Sequence, residues 1–149
     1  MKPADPIRFI LEQKGRDVWS LPPESSVYEA IKMMSEKQVG ALLVMRNNNL
    51  LGFISERDYA RKVILQGRSS RDTRVSEIMS APVMTVSPAH TIDECMRLMT
   101  DNRFRHLPVM EHGQVTGIVS IGDLVRWIIS SQEETIQQLH SYIAGAYPG

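Results

Sequence analysis

The chain has 149 residues, 42% hydrophobic and 23% charged, and its seventeen basic and seventeen acidic side chains cancel. That balance suits a globular protein of one compact domain or two halves sharing a core, and it argues against a broad nucleic-acid surface, which needs a basic excess. The longest apolar runs, 41–45 and 127–129, fall far short of the ~20 residues of a membrane helix, and the lone Cys95 excludes an internal disulfide framework.

In chain order, a leading helix is predicted over 7–14, with Ile7, Ile10 and Leu11 on one face. The N-terminal residues 1–6 carry no apolar signal core and no transit-peptide character, so the expected compartment is the reducing cytoplasm. A short strand over 18–21 ends at Pro22-Pro23. Ser25 and Ser26 are candidate N-caps for a helix whose stripe is Val27, Ala30, Ile31 and Met34. The continuous apolar run 41–45 reads as a buried strand. Asn47-Asn48-Asn49 supplies residues that tolerate positive φ, so 50–54 returns as the hairpin partner. A helix follows over about 56–65. The polar stretch 66–73, with Gly67, reads as a linker.

The same order then recurs: a strand over 83–86, Pro88, a helix over 91–102, a strand over 107–110, a turn, a strand over 115–119 and a helix from 121 to about 129. The recurrence is visible in the residues. Gly52-Phe53-Ile54-Ser55-Glu56-Arg57-Asp58 returns as Gly117-Ile118-Val119-Ser120-Ile121-Gly122-Asp123, at an offset of 117 − 52 = 65. Pro23 falls on Pro88, Met34 on Met99, Leu42 on Leu107 and Arg61 on Arg126 without a gap. Two copies of a unit this small pack against each other, because neither alone buries enough apolar surface. The predicted fold is therefore α/β (α+β), two β-α-β-β-α repeats related by a pseudo-two-fold axis. The expected organisation is an N-terminal helical segment over 1–15, repeats over 16–65 and 75–130 joined by a linker over 66–74, and a helical tail over 131–149. Ile136, Leu139 and Ile143 in the tail have the spacing of a face that packs on a neighbour.

Each copy carries G-x-x-S-x-x-D. The serine ends a strand and opens a helix, where partial positive charge suits a phosphate or polyol oxygen. The aspartate lies one turn on and can accept hydrogen bonds from both hydroxyls of a ribose. The glycine permits close approach to the strand. Ser-x-x-Asp at a helix start is also a capping box that needs no ligand. A single copy favours the cap. Two copies in one register, each followed by an arginine, favour a ligand site.

The two sites differ in charge. The first has Arg57, Arg61 and Lys62. The second has Gly122 in place of Arg57, while Arg103, Arg105 and His106 precede its second strand. One cleft thus suits a polyphosphate and the other a single phosphate or nothing. The four histidines show no metal-ligand spacing, so no metal is required. No nucleophile elbow or phosphate-binding Walker loop is present. Asp58 and Asp123 fall in separate clefts and do not form a catalytic pair, so no enzyme is expected. Cys95 sits on an apolar stripe with Ile92, Met96 and Met99 and reads as a core thiol.

These motifs, with Phe104-Arg105-His106-Leu107-Pro108-Val109, resemble the cystathionine β-synthase (CBS) domain family as a tandem pair, or Bateman module, over about 17–129. Ser55-Glu56-Arg57-Asp58-Tyr59, Gly67-Arg68-Ser69-Ser70 and Thr100-Asp101-Asn102-Arg103 are similar to stand-alone CBS-pair proteins of bacteria and plant mitochondria, as is the Tyr142-Ile143 tail. The resemblance implies a non-catalytic regulatory module for signal transduction. It implies adenosyl ligands: AMP, ADP or ATP, with NAD or S-adenosylmethionine as further members. Asp58 and Asp123 would hold ribose, and Ser55, Ser120, Arg57, Arg105 and His106 would meet phosphate, while Arg61 is a further binding candidate as the basic residue one turn beyond the first motif. Each cleft would borrow residues from the other repeat, so Val39 and Gly40 would face Asp123 while Phe104 and Arg105 would face Asp58. A homodimer and a regulated partner protein are implied, with no nucleic-acid or membrane partner. The rival reading is a structural or dimerisation module with vestigial clefts.

Overall fold

The computed structural model describes residues 4–141. The order is α1 (Arg8–Lys14), β1 (Ser20–Leu21), α2 (Val27–Lys37), β2 (Ala41–Arg46), β3 (Asn49–Ser55), α3 (Glu56–Tyr59) with a π-helical turn (Ala60–Ile64), α4 (Val75–Ile78), α5 (Ile92–Asn102), β4 (His106–Glu111), β5 (Gln114–Ser120) and α6 (Ile121–Ser141). The chain folds as two repeats of mixed α and β structure, each built on an antiparallel hairpin.

The repeat is reproduced in local detail. Val44 stands opposite Gly52 and Val109 opposite Gly117, and the register slips at the next residue in both hairpins. Asn47 and Asn48, like His112 and Gly113, all have positive φ, as a type I′ hairpin turn requires. The Ser26 hydroxyl accepts from the Glu29 N–H and that of Thr91 from the Glu94 N–H, each at 3.1 Å, which caps α2 and α5. Gln38 and Arg103 end these helices in the left-handed region.

Four predicted elements differ from the observed ones. The strand over 18–21 is paired only at Ser20–Leu21, parallel to β2. Its counterpart over 83–86 is reduced to one parallel bridge, Val86 to Val109. The helix over 56–65 changes from α to π winding at Ala60. The helix from 121 does not stop near 129 but continues to Ser141. Of the predicted tail face, Ile136 is exposed, while the Leu139 side chain and Ile143 lie outside the described residues.

The segments flanking the repeats pack in a crossed manner. Ile7, the residue before α1, and Ile10 and Leu11 within it belong to the core of the second repeat, with Ile92, Cys95, Met99, Leu107 and Leu124. Val75 and Ile78 of α4 belong to the core of the first, with Val27, Ala30, Leu42 and Ile54. The backbone bonds make the exchange explicit. Ile7 and Arg8 N–H groups donate to His90 and Pro88 carbonyls, just as Val75 and Ser76 donate to Ser25 and Pro23. These flanking segments match at an offset of 76 − 8 = 68, three residues more than the repeats themselves.

The crossing explains the motif glycines. A Cβ on Gly52 would stand 2.8 Å from the Ser80 carbonyl oxygen and the Met79 sulfur, and one on Gly117 would stand 2.8 Å from a Leu11 methyl. The close approach that the glycines permit is that of the crossed segments, not of a ligand.

Candidate functional site

A cleft of about 790 Å³ opens between the repeats. Ser55, Arg57, Asp58 and Arg61 form one wall, at and after the β3–α3 junction. Arg103, Phe104 and Arg105, between α5 and β4, and His106, the first residue of β4, form the other. The crossed segment adds Ser80. Phe53 and Phe104 meet edge to face, ring centroids 6.2 Å apart, and so join the two walls. The structure thus places Phe104 and Arg105 of one repeat in the same cleft as Asp58 of the other.

Asp58 is buried and held from several sides. The Ser55 N–H and hydroxyl each donate to its Oδ2 at 3.1 Å, and its own N–H donates to Ser55 Oγ at 3.2 Å. The Ser80 hydroxyl stands 3.3 Å from Oδ1, and the Lys62 ammonium 3.2 Å from the same oxygen. Ser55-x-x-Asp58 is therefore a working capping box. The Glu56 N–H also bonds the Gly40 carbonyl at 3.0 Å. Two of the first three helical amides are used inside the protein, so the helix start offers less to an anion than its sequence suggests.

The cations of this cleft are different. Among the described residues, the side chains of Arg57, Arg61, Arg103 and Arg105 make no hydrogen bond or ion pair. Four guanidinium groups on facing walls, set against Glu56 and Asp58, create a positive field over a concave surface. That field suits a multiply charged anion.

A second cleft, of about 340 Å³, lies across the pseudo-two-fold axis. Gly15, Asp17 and Trp19, Val39 and Gly40, and His106 and Ser120 of the second repeat line it. Gly40 and His106 line both clefts and form the partition between them. Burial pushes the His106 pKa down; the Asp123 carboxylate favours its protonation, and Lys14 and Arg105 oppose it. The balance lies below the ordinary histidine value, so at neutral pH the ring is a neutral hydrogen-bonding group rather than a full cation.

Asp123 does not reach the wall of this cleft; Lys14 does. The Lys14 ammonium donates to Asp123 Oδ2 at 2.7 Å and to the Ile118 carbonyl at 3.0 Å. The Ser120 N–H also donates to Oδ2, at 2.8 Å, and Arg126 to Oδ1 at 2.7 Å. Burial raises the Asp123 pKa, but the bonds from Lys14 and Ser120 outweigh it and hold the carboxyl below its ordinary value. A depressed carboxyl pKa stabilises the fold above the ordinary value, about 4, and the contribution fades as pH falls through the folded value. Lys14→Met should therefore lower the melting temperature most at neutral pH, with the gap to the parent closing as pH falls below the ordinary carboxyl value of about 4. Parallel melting curves across that range would show that the pair does not stabilise the fold.

Lys14, Ser80 and Trp19 were not legible as site residues. Lys14 and Ser80 come from the crossed segments, and no spacing within a repeat points to them. Lys62 had a signal, being four residues after Asp58 on one helix face. Among the described residues no three His, Cys, Asp or Glu side chains cluster to hold a metal, and no helix is long and apolar enough to cross a membrane.

A family model described as the CBS domain matches residues 15–64 and again 75–130. A mitochondrial CBS domain-containing protein of Arabidopsis thaliana, CBSX3, is 45% identical over 151 residues, which cover 95% of this chain and 73% of that protein. The CBS domain-containing protein YhcV of Bacillus subtilis is 33% identical over 107 residues, 72% of this chain and 76% of that one. A solved structure of a protein with CBS domains from Burkholderia ambifaria superposes with a TM-score of 0.83 at 50% identity, covering 86% of this chain and 96% of that one.

Proposed function

The chain belongs to the CBS-domain family as a tandem pair of repeats, and from that membership we propose that it is a non-catalytic sensor of adenine nucleotides. CBS-pair proteins of this kind are regulatory modules that generally bind nucleotides, typically adenosyl ligands. The observation that carries the reading is the convergence of four unpartnered guanidinium groups and one buried carboxylate on a single inter-repeat cleft. Asp58 takes the ribose hydroxyls by exchanging its Lys62 and Ser80 contacts. Arg57, Arg61 and Arg105 take the phosphates, with His106 beside them. AMP, ADP and ATP fit this division of labour; NAD and S-adenosylmethionine share the adenosyl half.

Ligand in this cleft touches both repeats at once. It shifts their relative packing to the extent that it binds one arrangement more tightly than another, and a partner protein reads the difference. Titration calorimetry with AMP, ADP, ATP and NAD at up to millimolar concentration is the test, with a raised melting temperature by mass action expected in parallel. Silence toward all four would sink the sensor reading.

A second copy of the chain is the expected neighbour. Ile64, Val125, Ile129 and Ile136 on helices, and Leu65 just past one, expose apolar surface outside the clefts, and burying them would stabilise a pair. Light scattering should give about twice the 16.9 kDa chain mass; a clean monomer at micromolar concentration would refute the dimer. The same exposed residues favour the second reading, a dimerisation or interaction module with vestigial clefts. A reducing compartment, the cytoplasm, agrees with the single buried Cys95, whose thiol burial pushes up to about 12 and makes inert.

A further inference from the structure

We propose that Lys14 is a built-in occupant of the second cleft that shuts it to ribose-bearing ligands, so that the chain takes one nucleotide, in the first cleft, unless Lys14 is withdrawn. The inference rests on the nucleotide reading of the clefts and assigns their selectivity.

The two motif aspartates are equivalent in sequence and in burial, 9% exposed for Asp58 and 8% for Asp123, but not in their partners. A carboxylate oxygen accepts about two hydrogen bonds in its plane. Asp123 Oδ2 already has two, from the Lys14 ammonium at 2.7 Å and the Ser120 N–H at 2.8 Å. Its Oδ1 holds the Arg126 guanidinium at 2.7 Å. A vicinal diol needs both oxygens, so it cannot be accepted until a cation leaves. Asp58 is as fully bonded, its Oδ2 taking the Ser55 N–H and hydroxyl at 3.1 Å, but its competitors for a diol are milder: one ammonium at 3.2 Å, from Lys62, and the neutral Ser80 hydroxyl at 3.3 Å, against two cations at 2.7 Å on Asp123.

The difference originates in the crossed segments. The one entering the first cleft presents Ser80, and the one entering the second presents Lys14 at the end of α1. Lys14 is anchored twice, since it also bonds the Ile118 carbonyl on the strand that leads into Ser120; Lys62 likewise bonds the Ile78 carbonyl at 3.0 Å, so the two lysines differ in their distance to the aspartate and not in their anchoring. The Lys14 ammonium therefore spans the cleft wall where the aspartate would otherwise be reached. Asp58 lines its cleft, whereas Asp123 is screened from its own by Lys14. The second cleft also lacks the unpartnered guanidinium groups that would let phosphate binding offset the loss of the ion pair.

Adenosine isolates the diol contact because it carries no phosphate. Calorimetric titration with adenosine and with ATP compares the full-length parent, Lys14→Met, Lys14→Arg, Asp58→Ala and the double variant Asp58→Ala/Lys14→Met. The parent and Lys14→Arg should bind about one nucleoside per chain and Lys14→Met about two, the second site tightening by roughly tenfold or more. Asp58→Ala should bind none, and the double variant about one again, in the second cleft alone. A parent that binds two per chain overturns the gate, as does a binding parent whose folded double variant is silent. If Lys14→Met does not fold, the count on the parent decides. Silence from the parent toward both adenosine and ATP overturns the nucleotide reading itself and, with silence from Lys14→Met, the gate with it.

Discussion

Leu11→Ala and Ile7→Ala should each destabilise the protein by about 2–5 kcal/mol, although both lie upstream of the first repeat. Their side chains are buried against Ile92, Cys95 and Leu107, so truncation leaves a cavity in the core of the second repeat, 80 or more residues away in sequence. Leu11 also packs against the face of Gly117, where a Cβ would stand 2.8 Å from a Leu11 methyl. For a domain stable by about 5–15 kcal/mol such a loss is a large fraction of the total. Glu12→Ala, on the exposed face of the same helix, should change stability by no more than about 0.5 kcal/mol. Urea denaturation of the three variants makes the comparison. If Leu11→Ala costs under about 1 kcal/mol, the crossed helix is an appendage and not part of the second core.

Asp58→Ala should abolish nucleotide binding while leaving a folded protein. Two effects are separable. Loss of the cap costs about 1 kcal/mol of stability, because the Ser55 N–H loses the carboxylate it donates to. Loss of the acceptor removes the group that a ribose diol needs, and it leaves the Lys62 ammonium at the mouth without its counter-charge. Arg57→Ala should act differently, weakening ATP by roughly ten- to hundredfold and adenosine little, since a charge-assisted contact contributes about 1.5–3 kcal/mol. Stability and binding are measured on the same preparations. A folded Asp58→Ala protein that binds as the parent does would leave the motif a helix cap and nothing more.

Much of this was legible in the residues. The offset of 65 fixed two equivalent hairpins, because an alternation of apolar run, turn and apolar return has one register that buries its face. The asparagines over 47–49 called for a hairpin turn, and Ser25 or Ser26 for a helix cap, since each is decided within a few residues of chain. The unequal basic content of the clefts, with Arg57 in one motif and Gly122 in the other, was also plain. The two-residue β1 and the single bridge at Val86 were less so. Their residues suit strands, but strand pairing depends on a partner edge that only the assembled hairpin provides.

Only the tertiary structure decided which segments serve which repeat. Nothing in the order Ile7, Ile10, Leu11 says that this face is completed by Ile92 and Leu124, because apolar periodicity states that a face is buried and not what buries it. The same crossing set the roles of Gly52 and Gly117, brought Ser80 to Asp58 and Lys14 to Asp123, and so made two sites of identical motif chemically unequal. Sequence determined the repeat, its hairpins and the chemistry each motif can offer. Long-range packing determined which distant partner each motif aspartate holds, Ser80 or Lys14, since side chains far apart in the chain meet only where the folded backbones pass.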